Sequence, residues 1–366
     1  MPGPHLVLCV ASHGWGHLSQ SVPIARALHA RIPGLRTTVR TGLPAAVVRA
    51  RFAEAGLPEP ALSHDDTEFG FVMRDALSID DETSLARYRA LFAERDARTA
   101  RERDALRALG ADAVLANVGW LPIAAGASLG LPAFGACSLN WADLLAARHP
   151  DRAEVEPIVA WMTEAYARAD ALFALQPGMP FERFANRVAA APMARVGAAR
   201  RAALRVALGV AADARVVLMA FGGLPMPLDT GSWKLPEGWH AIVFAQGARD
   251  GPATTAGAAL DWPFADLLAS VDLLVAKPGY GTFAEAGFVS RDTLVVPRDD
   301  WPESPYLVDW LARHARVATL ALADLRAGRI AEAVAALEAR PRRAAASGDG
   351  ALAIAETIAA RLGAPP

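Results

Sequence analysis

Lys277, Gly279, Tyr280, Gly281 and Thr282 open the stretch KPGYGTFAEA, and Glu285, Asp299 and Glu303 follow it. Glycines let a backbone approach a ligand closely, and a helix that starts there offers unpaired N–H groups to an anion. A lysine beside them adds a compact charge suited to phosphate. Of 37 basic residues only Lys234 and Lys277 are lysines, so a lysine at this turn stands out against an arginine background. The acids further on can accept hydrogen bonds from hydroxyls. Phosphate held at one point and hydroxyls read at another is the chemistry of a nucleotide-sugar site.

Other turns carry the same kind of signal. Ser12-His13-Gly14-Trp15-Gly16-His17 follows an apolar run and precedes a helical pattern. Imidazole titrates near neutrality, so His17 or His13 suits removal of a proton from an acceptor hydroxyl. The loop lacks the spacing of a dinucleotide fingerprint, because Ser19 stands where the third glycine belongs. Gly222-Gly223 after another apolar run would grip a diphosphate from a second side. Thr282 and Glu285 also match a capping box, which gives that pair a purely structural alternative. Asn117 and Asn140-Trp141, at the ends of two further runs, are candidates for acceptor contacts, with core packing as the plain alternative for the tryptophan. The acidic pairs Asp65-Asp66 and Asp80-Asp81 have no third ligand at metal spacing, so no metal is expected.

The elements that must position these groups alternate. Strands are expected at His5–Ala11, Arg36–Arg40, Ala113–Ala116, Ala133–Ala136 and Ala171–Ala174, with helices at His17–Arg31, Ala45–Ala55, Ser84–Leu109 and Glu154–Arg168. Gly110, Gly130 and Gly197 fall where elements should end. Gln176 to Gly197 is Pro-rich and aperiodic and reads as a connection between domains. A second series has a helix at Ala198–Leu208 and strands at Val216–Phe221, His240–Ala245, Leu273–Ala276 and Thr293–Val296. Helices are expected at Phe283–Phe288, Tyr306–Arg313 and Asp324–Ala339. The fold class is therefore α/β: two Rossmann-like open parallel-sheet domains, residues 1–197 and 198–349, facing a cleft. A final helix within 350–366 would pack back on the first.

Composition narrows the class. At 366 residues, with 53% hydrophobic and 21% charged residues, the chain is long enough for two full cores. A net charge of −2 argues against nucleic-acid binding, and the Arg-rich stretches at 95–107 and 195–205 read as solvated helix faces. Cys9 and Cys137 sit in apolar runs and read as buried thiols. The start lacks a basic region and a long apolar run, and no segment is long enough to span a membrane. A cytoplasmic location is the expectation. Oligomeric state is not encoded legibly.

Taken together, SHGWGH at 12–17, FGG at 221–223, LPEGWHAIV at 235–243, KPGYGTFAEA at 277–286 and RDDWPESPYL at 298–307 resemble GT-B fold glycosyltransferases. The similarity is greatest to the amino-terminal glycosyltransferase-like domain of L-arabinokinase and its stand-alone bacterial relatives. The C-terminal block also resembles, more distantly, the donor site of the N-acetylglucosaminyltransferase that completes lipid II. The resemblance implies a cytoplasmic, metal-independent, inverting transferase that uses a nucleotide-diphosphate sugar, a UDP-sugar first of all, as co-substrate and needs no cofactor. It assigns the diphosphate to Gly222, Gly223 and Gly279 to Thr282, the ribose to Glu285, the donor sugar to Asp299 and Glu303, and a base or acceptor contact to Gly16-His17. Two departures stand out: Gln20 replaces a common arginine, and Asn117 stands where many relatives have an acid. The given sequence ends after its last helix with no sugar-kinase domain, so arabinose phosphorylation is not expected of it. Two alternatives remain, a non-catalytic nucleotide-sugar-binding module and a UDP-sugar epimerase working through Asp299 and Glu303.

Overall fold

The computed structural model describes residues 3–363 apart from 66–67, 224–225 and 234. Lys234 and Asp66, singled out above, lie outside the described residues. The chain forms two compact units. The first comprises the described residues of Met1–Val72, Ile79–Met193 and Gly348–Pro366, and the second those of Met73–Ser78 and Ala194–Ser347.

The first unit starts with β1 (His5–Val10), α1 (Gly16–Arg31), β2 (Arg36–Thr41), α2 (Ala45–Glu54) and β3 (Ala61–His64). It continues through α3 (Asp81–Ala93), α4 (Arg95–Leu109), β4 (Ala113–Asn117), α5 (Trp120–Ser128) and β5 (Ala133–Cys137). Next come α6 (Trp141–Arg148), α7 (Glu156–Tyr166), β6 (Ala171–Leu175) and β7 (Arg187–Ala190). The second unit holds α8 (Arg201–Leu208), β8 (Arg215–Ala220), β9 (Trp239–Phe244), β10 (Thr254–Ala256), α9 (Phe264–Ser270) and β11 (Leu273–Ala276). It closes with α10 (Tyr280–Phe288), β12 (Thr293–Val295), α11 (Ser304–His314), β13 (Val317–Thr319), α12 (Leu322–Arg326) and α13 (Ala331–Glu338). The last helix, α14 (Gly350–Arg361), belongs to the first unit, where it buries Ile354, Ala355 and Ile358 and packs on α1.

Both sheets are wholly parallel among the described residues. Their orders are β3-β2-β1-β4-β5-β6-β7 and β10-β9-β8-β11-β12-β13. Strands covered on both faces need continuous apolar runs, and β1, β4 and β5 are buried along their whole length. In each sheet the strand order reverses at one place, between β1 and β4 and between β8 and β11. Connections leave toward opposite faces there and open a crevice beyond the strands' carboxyl ends, where such sheets bind ligands. The loops after β1 and β11 are the histidine and lysine turns of the sequence.

Several expectations need correction. Gln176 to Gly197 is more than a connection, because β7 lies inside it and pairs with β6 from Leu172↔Arg187 to Leu175↔Ala190. The first three residues of that strand are exposed, so it carries no apolar pattern. The helix expected at Ser84–Leu109 is two helices meeting at Glu94, the first capped by the Asp80 side chain accepting from Thr83 N. The helix expected at Asp324–Ala339 is also two, interrupted near Gly328, whose φ is 67°. Gly197 ends no helix; it is small because a Cβ there would lie 2.2 Å from the backbone carbonyl of Ala265.

That contact predicts a measurable cost. Gly197→Ala forces two backbones apart and should lower stability by about 1–3 kcal/mol, read as a lower midpoint in thermal or urea unfolding. An unchanged midpoint would show that the approach has slack.

Candidate functional site

In the first unit the loop after β1 delivers His17 into the second position of α1, where it is 5% exposed. Its Nδ1 lies 2.9 Å from Asn117 Oδ1 at the carboxyl end of β4, and Cys137 Sγ lies 3.7 Å from the same nitrogen. Asn117 Nδ2 donates to Gln20 Oε1 (2.9 Å), and Gln20 Nε2 donates to Ser138 Oγ (2.7 Å). Gln20, Asn117 and Ser138 are all buried. Burial lowers the pKa of His17 to about 4, against the opposing hydrogen bond with Asn117. His17 is therefore neutral at pH 7.

Trp141 covers this cluster. Its ring meets His13 edge-on at 5.6 Å and His17 at 5.7 Å, and it is fully buried. His13 is partly buried, and its Nδ1 lies 3.4 Å from the Phe71 N–H. Gly70 passes so close that a Cβ would meet Trp141 at 2.6 Å and His13 at 2.9 Å. Asn140 is committed to α6: Oδ1 accepts from Asp143 N and Nδ2 donates to the Asp143 carboxylate. Of the acceptor-side candidates, Asn117 thus sits behind His17, Trp141 over it, and Asn140 within a helix cap. Trp15 is the exposed aromatic of the loop, at 42%.

Sequence reasoning missed Glu68. Its Oε1 accepts from Leu121 N at 2.9 Å, at the start of α5, and burial pushes its pKa well above the usual carboxylate range. A cavity of about 10 Å³ beside it is lined by Cys9, Val10, Ala11, Asp65 and Pro122. Nothing local in the sequence pairs Glu68 with Leu121; the two meet only through the sheet.

In the second unit Gly279 is the N-cap of α10, so the first turn of that helix has no side-chain cap. Thr282 lies inside the helix, and the capping box with Glu285 does not form. Gly222, exposed after β8, has φ 76°, a conformation that favours glycine, with Gly223 exposed beside it. Lys277 is partly buried at the end of β11. Burial, reinforced by Arg298, lowers its pKa to about 7, while Glu303 opposes the shift.

Arg298 was the other residue missed. It is 5% exposed, with its guanidinium 3.9 Å from the centre of the Trp301 ring and Nη2 3.3 Å from Met73 Sδ. Burial lowers its pKa to about 10, opposed by Asp300, Glu303 and Asp75. Glu303 is buried as well and accepts from Trp301 Nε1 at 3.1 Å, whereas Asp299 is exposed. Lys277, Arg298 and Glu303 thus share one rim beside the start of α10. Met73 and Asp75 come from a short segment far away in sequence, which no local pattern announces. Among the described residues, no group of three or more His, Cys, Asp or Glu is placed to hold a metal ion. No described helix is long and apolar enough to cross a membrane.

This architecture is the GT-B fold of glycosyltransferases. The glycosyltransferase of kitacinnamycin matches 99% of the chain and 95% of its own at a TM-score of 0.57 and 16% identity. UGT2 of Phytolacca americana, solved with UDP-2-fluoro-glucose and pterostilbene, matches 98% and 100% at 0.58 and 14%. The spinosyn forosaminyltransferase SpnP matches 100% and 96% at 0.56 and 15%. In sequence, the chain is similar to L-arabinokinase of Arabidopsis thaliana, 29% identical over 313 residues. That match takes in 84% of this chain and 30% of the plant protein, so the chain spans under a third of its relative's length. No family model matches the sequence.

A lowered imidazole pKa fixes the sign of one pH effect. Between about pH 6.5 and 4 the unfolded chain binds a proton at His17 that the folded chain refuses. The stability linked to His17 is therefore present above 6.5 and lost as pH falls through 4, by about 3 kcal/mol. His17→Asn should flatten the acid limb of stability against pH by that amount. Titration of the His17 ring by NMR with a midpoint near 6.5 would contradict the burial.

Proposed function

We propose that the chain is a metal-independent, inverting glycosyltransferase whose second unit binds a nucleotide-diphosphate sugar, a UDP-sugar first of all. The observation that carries the reading is the start of α10. A helix whose glycine N-cap makes no side-chain capping hydrogen bond, next to Lys277, would be a site for a diphosphate. Gly222 and Gly223 would let the backbone approach the same group, and Glu303 and Asp299 would accept from sugar hydroxyls, with Glu285 on the ribose. GT-B neighbours that carry UDP-sugar or nucleotide in their structures support the assignment.

The chemistry would be direct displacement at the anomeric carbon. An acceptor oxygen forms the new glycosidic bond as the bond to the diphosphate breaks, and the acceptor proton passes to His17 Nε2. Helix N–H groups and the Lys277 ammonium neutralise the charge gathering on the leaving diphosphate. A second reading, a nucleotide-sugar-binding module without turnover, is favoured by one observation. His17 is buried and has an amide rather than a carboxylate behind its ring, which makes it a weak base.

Incubation with a panel of UDP- and other nucleotide-sugars, with cell extract as acceptor source and EDTA present, separates the readings. Nucleotide release that is lost in both His17→Ala and Glu303→Ala supports the transferase. Tight binding with no release under any condition supports the module, and conversion of the sugar without release supports an epimerase.

Lys277 adds a pH signature. Its ammonium is the form that grips a diphosphate, and burial leaves it only half charged near pH 7 in the unliganded protein. UDP binding above that pH must draw a proton from solvent, so affinity should fall by up to about tenfold per pH unit between 7 and 9. Calorimetry should find this slope absent in Lys277→Met, together with weaker binding at pH 7. Equal slopes in both proteins would remove Lys277 from the site.

A further inference from the structure

An asparagine behind a histidine can face it with either end. If Oδ1 meets the ring, Nδ1 must carry the proton and Nε2 keeps a lone pair. If Nδ2 meets it, the proton moves to Nε2, which can then only donate. The two ends have almost the same shape, so neither packing nor the Asn117–His17 distance decides between them. In a serine protease, an amide in place of the triad acid costs roughly 10⁴ in kcat because the wrong tautomer results. A chain that keeps Asn117 behind His17 needs something else to orient the amide.

We infer that Gln20 is a positioning residue that holds Asn117 by its Nδ2, turns Oδ1 toward His17, and so leaves His17 Nε2 free to accept a proton. Gln20 lies one helical turn after His17 on α1, which brings it to the same side of the helix. Its Oε1 takes the Asn117 amide hydrogen at 2.9 Å, and its own Nε2 is fixed by Ser138 Oγ at 2.7 Å. All four side chains are 5% exposed or less, so water does not offer the amides alternative partners on equal terms. The donors run in one direction, from His17 to Asn117, from Asn117 to Gln20 and from Gln20 to Ser138. The chain closes at Ser138, whose Oγ accepts from Gln20 Nε2. The inference rests on the reading of His17 as the proton acceptor, but the tautomer is a property of the protein alone.

The test uses the full chain labelled with ¹⁵N-histidine, with His17 assigned by its loss in His17→Asn. The expected wild-type spectrum is the Nδ1–H tautomer at pH 7. Gln20→Glu offers only acceptor oxygens to Asn117 Nδ2 and should keep that tautomer. Gln20→Met frees the amide to rotate; it should give a mixture of tautomers and at least a tenfold lower kcat, with KM for the donor unchanged. An Nε2–H tautomer in the wild type overturns the inference, as does a Gln20→Met protein with an unaltered tautomer. Should Gln20→Met fail to fold, the wild-type and Gln20→Glu spectra still decide. A correct tautomer in a protein that turns over no donor leaves the positioning role standing and removes the transferase reading instead.

Discussion

The hydrogen bond between His17 Nδ1 and the Asn117 amide fastens the first turn of α1 to the carboxyl end of β4, at the place where the first sheet reverses its strand order. A buried imidazole without a partner would cost a few kcal/mol, so the bond constrains everything near it. It sets how deep α1 enters and places Gln20 within reach of Ser138, just after β5. Trp141 then closes over the ring edge-on. The contacts that pin the histidine are also those that remove it from water. Its low basicity follows from its position and needs no separate cause.

The second unit solves a similar problem with charges instead of amides. Lys277 and Arg298 follow the neighbouring strands β11 and β12, and both lose hydration there. Arg298 tolerates this because a flat guanidinium stacks on Trp301, while Glu303, Asp300 and Asp75 oppose its desolvation. A lysine at 298 could not stack in the same way. Trp301 in turn donates to Glu303, so cation, ring and carboxylate form one packed group. Glu303 is thereby held in a fixed orientation, which a carboxylate needs if it is to distinguish one hydroxyl arrangement from another.

Much of this was legible in the sequence because parallel sheets write themselves plainly. Continuous apolar runs located β1, β4, β5, β8 and β11, and the glycine turns after β1, β8 and β11 lie at the strand-order reversals. Short or exposed elements were not legible. The β7 strand has three exposed residues and joins its sheet only through backbone pairing, and β3, β10 and β13 are too short to show a period. Thr282 and Glu285 matched a capping box in spacing, yet the helix begins earlier, at Tyr280, with Gly279 as its N-cap. Glu68 and Arg298 were invisible for another reason. Their partners, Leu121 for one and Met73 and Asp75 for the other, are brought together only by the tertiary fold.

Burial depresses both the His17 imidazole and the Lys277 ammonium, yet the consequences for chemistry are opposite. For a proton acceptor, a low pKa secures the neutral form at working pH at the expense of driving force, so what remains to be optimised is geometry. Under the proposed function, the direction of the amide chain through Gln20 would therefore matter more than the strength of the base. For an anion grip, a lowered ammonium pKa means that desolvation has already been suffered in the unliganded protein. Under the proposed function, an arriving diphosphate would restore the charge by its own field, and binding and protonation would become one event. A lysine fully charged beforehand would hold water that the ligand must first displace. The same physical term, loss of hydration, thus acts on both residues, and under the proposed function it would make one depend on orientation and the other on its ligand.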